Sequence, residues 1–213
     1  MHGKLQLQAD ELWEFSCYVY SLQGVASTCL ILQDKYGLDV NLLLFSLFAG
    51  SRGYVLSTHD FLRIEAKVAP WRKNVVHELR AMRQFLKGRT LIFGTLRDDL
   101  YEDIFESELK AERHEQYLIV SSVTISESAT GENTAGRNLM TYLHTSSVLL
   151  NYENVSMLAR LLSIVMSRST PSDKYKKERS VISDKQMDEW QSGGANKWKE
   201  LVAFLDQAEE LLN

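Results

Sequence analysis

Three glutamates in the middle of the chain recur at helical spacing. Glu108, Glu112 and Glu115 stand at i, i+4 and i+7, so on a helix they share one face. At about 100° per residue, the same face carries four apolar residues, Tyr101, Ile104, Phe105 and Ile119. We therefore expect some of these carboxylates to point into the protein, where an unpaired charge is costly and needs a partner.

A basic stripe on the preceding helix can supply those partners. The apolar arc of that helix is formed by Trp71, Val75, Leu79, Met82 and Leu86. Arg72 and Arg83 project at the edge of the arc, and Arg80 continues the stripe outward. Because only about seven residues connect the two helices, we expect them to pack antiparallel and to form bidentate Arg–carboxylate pairs.

Three interpretations of this charged cluster are open. The first is structural, because buried ion pairs frequently fix the packing of two helices without doing any chemistry. The second is a binding site for a small ligand or metal between these two helices, and the third is a pairing of charges on the surface. We favour the structural interpretation. The candidate binding residues are Arg72, Arg80, Arg83, Glu108, Glu112 and Glu115.

A second group of short polar side chains surrounds the turn at Gly37. Its members are Gln33, Asp34, Asp39 and Asn41. Helical aspartates can hold magnesium and diphosphate in prenyl-transferring enzymes, but the spacing here does not support that role. Asp39 is more simply a helix N-cap, and Asn41 a first-turn residue or an interhelical hydrogen-bond donor. These four residues are kept as a secondary polar cluster.

Other catalytic and metal-binding patterns do not occur in the sequence. No glutamate has a histidine three residues later, as a di-iron bundle requires, and no two histidines have the spacing of a zinc-binding helix. Neither a Gly-x-Ser-x-Gly elbow nor a phosphate-binding glycine loop is present. The sequence therefore predicts no metal site and no cofactor.

Composition narrows the class of protein. The 213 residues are 45% hydrophobic with a formal charge of −4, which indicates a globular chain and makes nucleic acid an improbable partner. The longest apolar run, residues 40–49, is about half of what a membrane-spanning helix needs, and no secretory signal is visible. We expect a cytoplasmic protein without membrane insertion, in which Cys17 and Cys29 are buried free thiols.

Helical periodicity runs through almost the whole chain, which predicts an all-α bundle of about eight or nine helices. The expected helices cover residues 10–22, 25–36, 40–52, 58–68, 70–88, 96–119, 137–150, 153–168 and 197–212. A helical core domain is predicted for residues 1–120, a loop for 121–136 and a less regular helical region for 137–213, with a mobile segment near 169–196.

Part of the chain resembles a bacterial family of uncharacterised proteins, a domain of unknown function. The resemblance rests on Leu12-Trp13-x-Phe15-Ser16-x-x-x-Tyr20, on Gly24-Val25, and on a nearly continuous match over residues 29–45, CLILQDKYGLDVNLLLF. Trp71-Arg72, Leu79-Arg80-x-x-Arg83 and residues 108–115 match as well. The likeness covers roughly the first 120 residues. It implies a bacterial cytoplasmic helical protein and supplies no activity, cofactor or catalytic residue.

Two functions are compatible with these observations. We favour a non-catalytic helical interaction or scaffold protein that binds a protein partner or associates with itself. The alternative is an enzyme or small-ligand-binding protein that uses the Arg/Glu pocket.

Overall fold

The computed structural model describes residues 2–87, 96–123, 134–146 and 148–166, and all regular structure in these ranges is helical. The helices are α1 (His2–Tyr20), α2 (Val25–Tyr36), α3 (Val40–Ser51), α4 (Thr58–Trp71), α5 (His77–Leu86), α6 (Leu96–Ser121), α7 (Thr134–Ser146) and α8 (Tyr152–Met166). A π-helical segment, Arg72–Val76, joins α4 to α5. The all-α prediction is therefore confirmed for the described residues.

The turn between α2 and α3 is built from the two residues that the sequence singles out. Gly37 ends α2 in the left-handed conformation at φ 69°, and its N–H donates to the carbonyl of Gln33. Asp39 begins α3, because its carboxylate accepts from the N–H of Leu42 at 2.9 Å. These local bonds explain why the boundaries predicted for α2 and the start predicted for α3 are correct.

The chain divides into two compact units, each assembled from two stretches that lie apart in sequence. Unit 1 comprises Met1–Glu14 and His59–Ile125, and unit 2 comprises Phe15–Thr58 and Ser126–Asn213. Neither unit coincides with the predicted core domain of residues 1–120. The helical period identifies which face of a helix is buried, but it does not identify the stretch of chain that buries it.

In unit 1, α5 lies against α6. The buried stripe of α6 contains Ile104, Ala111 and Ile119, together with Glu108 and Glu115. The predicted mixture of carboxylates and apolar residues on one face is thus present. Phe105 and Met82, which the helical arcs place inward, are instead 38% and 51% exposed. Both arcs are narrower than the sequence pattern predicts, so residues at their edges lie in solvent.

In unit 2, α3 is the central helix, with every residue from 42 to 50 buried. It packs most closely against α7, where a Cβ atom on Gly50 would lie only 2.1 Å from the Cα of Ala135. Such a contact brings two helix backbones together at a point where no side chain separates them.

The sequence pattern predicts that a new helix begins at Pro70, but the structure contradicts this prediction. Pro70 lies inside α4, and the chain continues through the π-helical segment into α5 without a break. Proline has no N–H to donate, and the N–H of His77 bonds to the carbonyl of Arg72 five residues earlier. The side chain of Asn74 donates to the Pro70 carbonyl at 2.8 Å. A wider turn therefore replaces the predicted boundary.

Three further predictions are corrected, and two lie outside the described residues. Helix α1 begins at His2 rather than near residue 10. Cys17 is exposed rather than buried, whereas Cys29 is buried as expected, and neither cysteine is in a disulfide. The predicted loop of residues 121–136 overlaps α7, which begins at Thr134 and ends at Ser146. The segments predicted at 169–196 and 197–212 lie outside the described residues.

No single helix of the described residues is long and apolar enough to cross a bilayer. One pair of consecutive helices, Ala9–Tyr20 and Val25–Tyr36, passes that test of length and composition only when taken together across a bend.

Candidate functional site

The antiparallel pairing of α5 with α6 sets arginines against glutamates in unit 1. Arg72 bonds to Glu115, and Arg80 bonds to both Glu112 and Glu108. The contacts run in opposite directions along the two helices, as expected for antiparallel neighbours. We call the group Arg72, Arg80, Arg83, Glu65, Glu108, Glu112 and Glu115 the Arg/Glu network.

Glu108 lies at the centre of the network. Its two oxygens accept from Arg83, Nε to Oε2 at 2.5 Å and Nη2 to Oε1 at 3.2 Å, and Oε1 also accepts from Arg80 Nε at 2.9 Å. The side chain is only 5% exposed, while those of Arg80 and Arg83 are 18% and 20% exposed. A carboxylate with three hydrogen bonds from two guanidinium groups is well compensated for its loss of water.

The electrostatics of the centre follow from that geometry. Burial by itself would raise the pKa of Glu108, but the hydrogen bonds from Arg83 and Arg80 outweigh burial and hold the pKa below its ordinary value. The hydrogen bond to Glu108 raises the pKa of Arg83 well above its ordinary range. The carboxylate is therefore a poor proton acceptor at neutral pH, and the arginine a poor proton donor.

The other end of the network contains a residue that sequence reasoning missed. Arg72 donates from Nε to Oε1 of Glu115 at 2.9 Å and from Nη1 to both oxygens of Glu65 at 3.0 Å. The side chain of Glu115 is 1% exposed, whereas that of Glu65 is 46% exposed. Glu65 stands seven residues before Arg72, two helical turns, so the i, i+7 spacing is the signal that could have identified it.

The π-helical segment helps to align the arginines. In an uninterrupted α-helix, eight residues separate Arg72 from Arg80 by about 80° around the axis. The wider turn over Arg72–Val76 changes that offset, and both arginines contact α6. Trp71 completes the contact, because its indole Nε1 donates to the carbonyl of Ala111 at 3.0 Å.

The charges of the Arg/Glu network are paired with one another. Three arginines face four glutamates in five ion pairs. Two of these pairs join Arg72 to Glu65 and Glu115. The other three join Arg80 and Arg83 to Glu108 and Glu112. Two shallow clefts form in unit 1, about 470 Å³ beside Arg63, Lys67 and Ser121 and about 240 Å³ beside Asp10 and Tyr117. Neither cleft is lined by the network. The geometry of the Arg/Glu network suits the fixing of α5 on α6. The predicted role of the network in binding stays a prediction.

The secondary polar cluster is separated into different local roles. Gln33 donates to the neighbouring Asp34 at 3.1 Å on the exposed side of α2, while Asp39 caps α3. The N–H of Asp39 also donates to the hydroxyl of Tyr142 at 2.8 Å, and Asn41 lies in the first turn of α3. Among the described residues, no group of three or more His, Cys, Asp or Glu side chains is arranged to hold a metal ion.

Asn138 on α7 is a second residue that the sequence analysis did not select. It is fully buried, and its Oδ1 accepts from the N–H of Leu56 at 2.8 Å. Its Nδ2 donates to the carbonyls of Tyr54 at 2.7 Å and Ser46 at 3.4 Å. A single amide thus satisfies backbone groups of α3 and of the link to α4. Nothing in the pattern around Asn138 indicates this role, because its partners lie more than 80 positions away.

The comparison with protein families gives one match. The model of a family described as "Protein of unknown function (DUF2390)" matches residues 11–119, slightly more than half of the chain. No curated protein and no solved structure matches the chain.

Proposed function

Because the chain belongs to the DUF2390 family, for which no activity is described, we propose a function from its surfaces: a non-catalytic helical interaction protein of the bacterial cytoplasm that associates with itself. The observation that carries this proposal is the outer surface of α5 and α6. Two apolar pairs are exposed there, Met82 with Phe85 on α5 and Phe105 with Leu109 on α6, each side chain being 36–52% exposed. Exposed apolar groups on adjacent helices are typical of protein interfaces.

The charges on the two helices support a second copy as the partner. The first half of α6 exposes five acidic side chains, Asp98, Asp99, Glu102, Asp103 and Glu106. The π-helical segment exposes Lys73, and Lys87, which is also exposed, follows the end of α5. In a two-fold dimer, α5 of one copy meets α6 of the other, so apolar groups meet apolar groups and basic groups meet acidic ones.

The Arg/Glu network supports a structural role beneath that surface. It holds α5 on α6, and both helices then present their outer side chains in one fixed arrangement. Pre-organised interfaces lose less conformational entropy on association, so rigidity at this position favours binding.

Sedimentation velocity of the full chain over a range of concentrations tests the proposal. We expect a reversible dimer, and we expect Met82→Ser with Phe85→Ser to weaken its association at least tenfold, because two anchors are lost. The matched control is Leu62→Ser, since Leu62 is 55% exposed on α4 and lies outside the proposed interface. A monomer at every concentration, or equal weakening by the control, would refute the proposal.

The alternative function, binding of a small ligand by the Arg/Glu network, is favoured by the burial of Glu108 and Glu115. Arg80→Met and Glu112→Gln, which remove the two partners of one ion pair, distinguish the two functions. If the network is structural, each change lowers stability and the pair together loses less than the sum. A ligand-induced rise in the unfolding temperature that disappears in Glu112→Gln would instead identify a binding site.

A further inference from the structure

The larger of the two clefts described in unit 1 lies between α4 and the end of α6. Its volume is about 470 Å³, within the range of small-ligand sites in proteins, roughly 300–1,000 Å³. The lining combines two cations, two hydroxyl groups and two small apolar side chains, and the described residues add no carboxylate to it. These residues are Arg63, Ala66 and Lys67 from α4 and Ser121, Ser122 and Val123 at the end of α6.

The two cations of the cleft project from one face of α4. Arg63 and Lys67 stand at i and i+4, a spacing at which like charges on a helix surface repel each other. A negatively charged ligand between them removes that repulsion. The chain as a whole has a formal charge of −4, so the positive charge of this cleft is local and does not reflect a general excess of basic residues.

The end of α6 holds the side chain of Lys67 at the cleft. Lys67 Nζ donates to Oγ of Ser121 at 2.8 Å, and that hydroxyl donates to the carbonyl of Leu118 at 2.9 Å. Ser122 donates to the same carbonyl at 2.6 Å. An ammonium group has three N–H donors, and the described part of the chain offers Lys67 no carboxylate partner. Two of its donors are therefore available to a ligand.

Arg63 is likewise oriented by a neighbouring side chain. Its Nη2 donates to the carboxylate of Asp60, three residues earlier on α4, at 2.5 Å, and the Arg63 side chain is 47% exposed. A guanidinium group has five N–H donors in a planar fork, which matches the oxygens of a phosphate group. The pair with Asp60 uses part of that fork and restricts its direction. The remaining donors can bind an anion.

We propose that this cleft binds an organic phosphate, a small phosphomonoester whose phosphate group lies between Arg63 and Lys67 and whose organic part packs on Ala66 and Val123. A phosphomonoester carries almost two negative charges at neutral pH and three acceptor oxygens, which matches two adjacent cations better than a single carboxylate does. The volume of the cleft leaves room for an organic part beside the phosphate group. This binding function is additional to the proposed self-association.

Titration of the full chain with phenyl phosphate, followed by amide chemical shifts, tests the site. We expect saturable shifts at residues 63–67 and 121–123, with a dissociation constant on the order of 1 mM, as suits a small ligand in an open cleft. Inorganic phosphate should shift the same amides and bind about fivefold more weakly, because it has no apolar part to bury. Benzoate keeps the ring but has one negative charge, so it should bind about tenfold more weakly.

Substitution of each cation tests which residues hold the phosphate group. Lys67→Met and Arg63→Met should each weaken the binding of phenyl phosphate about tenfold, because charge-assisted hydrogen bonds are lost. Both side chains are exposed, so the fold does not depend on them. The matched control is Lys110→Met, which removes the same charge from an ammonium that is 78% exposed and lies outside the cleft. Its affinity for phenyl phosphate should stay within about twofold of the unmodified chain.

A substitution that keeps both cations separates a shaped cleft from simple attraction between charges. Ala66 is exposed and lies between the two cations in sequence, so Ala66→Trp places a large ring in the cleft without disturbing the core. We expect this variant to bind phenyl phosphate about tenfold more weakly, because the ring occupies the space of the ligand.

Four results would overturn the proposal. They are the absence of saturable shifts at residues 63–67 and 121–123, equal weakening by Lys110→Met, binding that Ala66→Trp leaves unchanged, and equal affinity for inorganic phosphate or benzoate. The second and third would attribute the binding to net charge, and the fourth would exclude an organic phosphate as the ligand. Dimerisation through α5 and α6 is measured with substitutions outside the cleft, so either proposal can fail without the other.

Discussion

Two helix pairs, one in each unit, solve the problem of buried polar groups in different ways. The α5–α6 pair of unit 1 buries charges and compensates them with opposite charges, as Glu108 with Arg80 and Arg83 shows. The α3–α7 pair of unit 2 buries no charged side chain. Gly50 has no side chain where it meets Ala135, and the buried amide of Asn138 bonds neutral backbone groups. The first contact depends on matched charges and on protonation. The second depends on volume and on hydrogen-bond direction.

The largest expected effect is in the charged pair. Glu108→Gln leaves Arg80 and Arg83 largely buried without a full counter-charge, so we expect a loss of about 3 kcal/mol in the free energy of unfolding. Urea denaturation measures it. The matched control on the same helix is Glu106→Gln, whose carboxylate is 67% exposed and should contribute less than about 0.5 kcal/mol. Equal losses in the two variants would show that the network does not stabilise the α5–α6 contact.

The close contact of the second pair should be sensitive to a single methyl group. On an open helix, Gly→Ala stabilises by about 0.5–1 kcal/mol, but at Gly50 the new Cβ meets the backbone of Ala135. We expect Gly50→Ala to destabilise by about 2 kcal/mol, because α3 and α7 must move apart. Thermal and urea unfolding measure the change, and Ser51→Ala one residue away is the control. A stabilised Gly50→Ala variant would mean that α7 is not held this close to α3.

The amide of Asn138 should matter more than an amide of the same type at the surface. Asn138→Ala leaves the buried N–H of Leu56 and the part-buried carbonyl of Tyr54 without this partner, which we expect to lower stability by about 2 kcal/mol. Asn74→Ala removes a single bond from an exposed side chain to Pro70 and should lose less than about 1 kcal/mol. Similar losses in both variants would remove the distinction between buried and exposed amides.

The smallest expected effect is a difference between the α5–α6 and α3–α7 contacts in how the free energy of unfolding depends on pH. The folded-state pKa of Glu108 lies below its ordinary value near 4.5, so its contribution to stability is present above that pH and is lost as the pH falls through the folded pKa. The free energy of unfolding of the unmodified chain should therefore fall more steeply in acid than that of Glu108→Gln. Asn138→Ala carries no titrating change and should keep the steep profile.

Particular residues show how far the candidate site could be anticipated. The spacing of Glu108, Glu112 and Glu115 predicts a shared face, and the structure places two of them in the buried stripe of α6. Arg80 lies at the centre of the contacts, although the pattern places it on the outer part of the stripe. That difference follows from the π-helical turn after Pro70, which the sequence signals of helix ends do not anticipate.

The amino-acid sequence by itself determined the all-α class, the ends of α2, the Asp39 cap and the inward direction of Glu108 and Glu115. All of these depend on local bonds and on a period of 3.6 residues, which neighbouring positions encode. Only the tertiary structure decided the division into two units that each combine two separate stretches of chain, the contact of Gly50 with Ala135 and the bonds of Asn138. These features depend on which distant stretches of chain meet. The free energy of burial depends on the apolar area removed from water and not on the distance between residues in sequence.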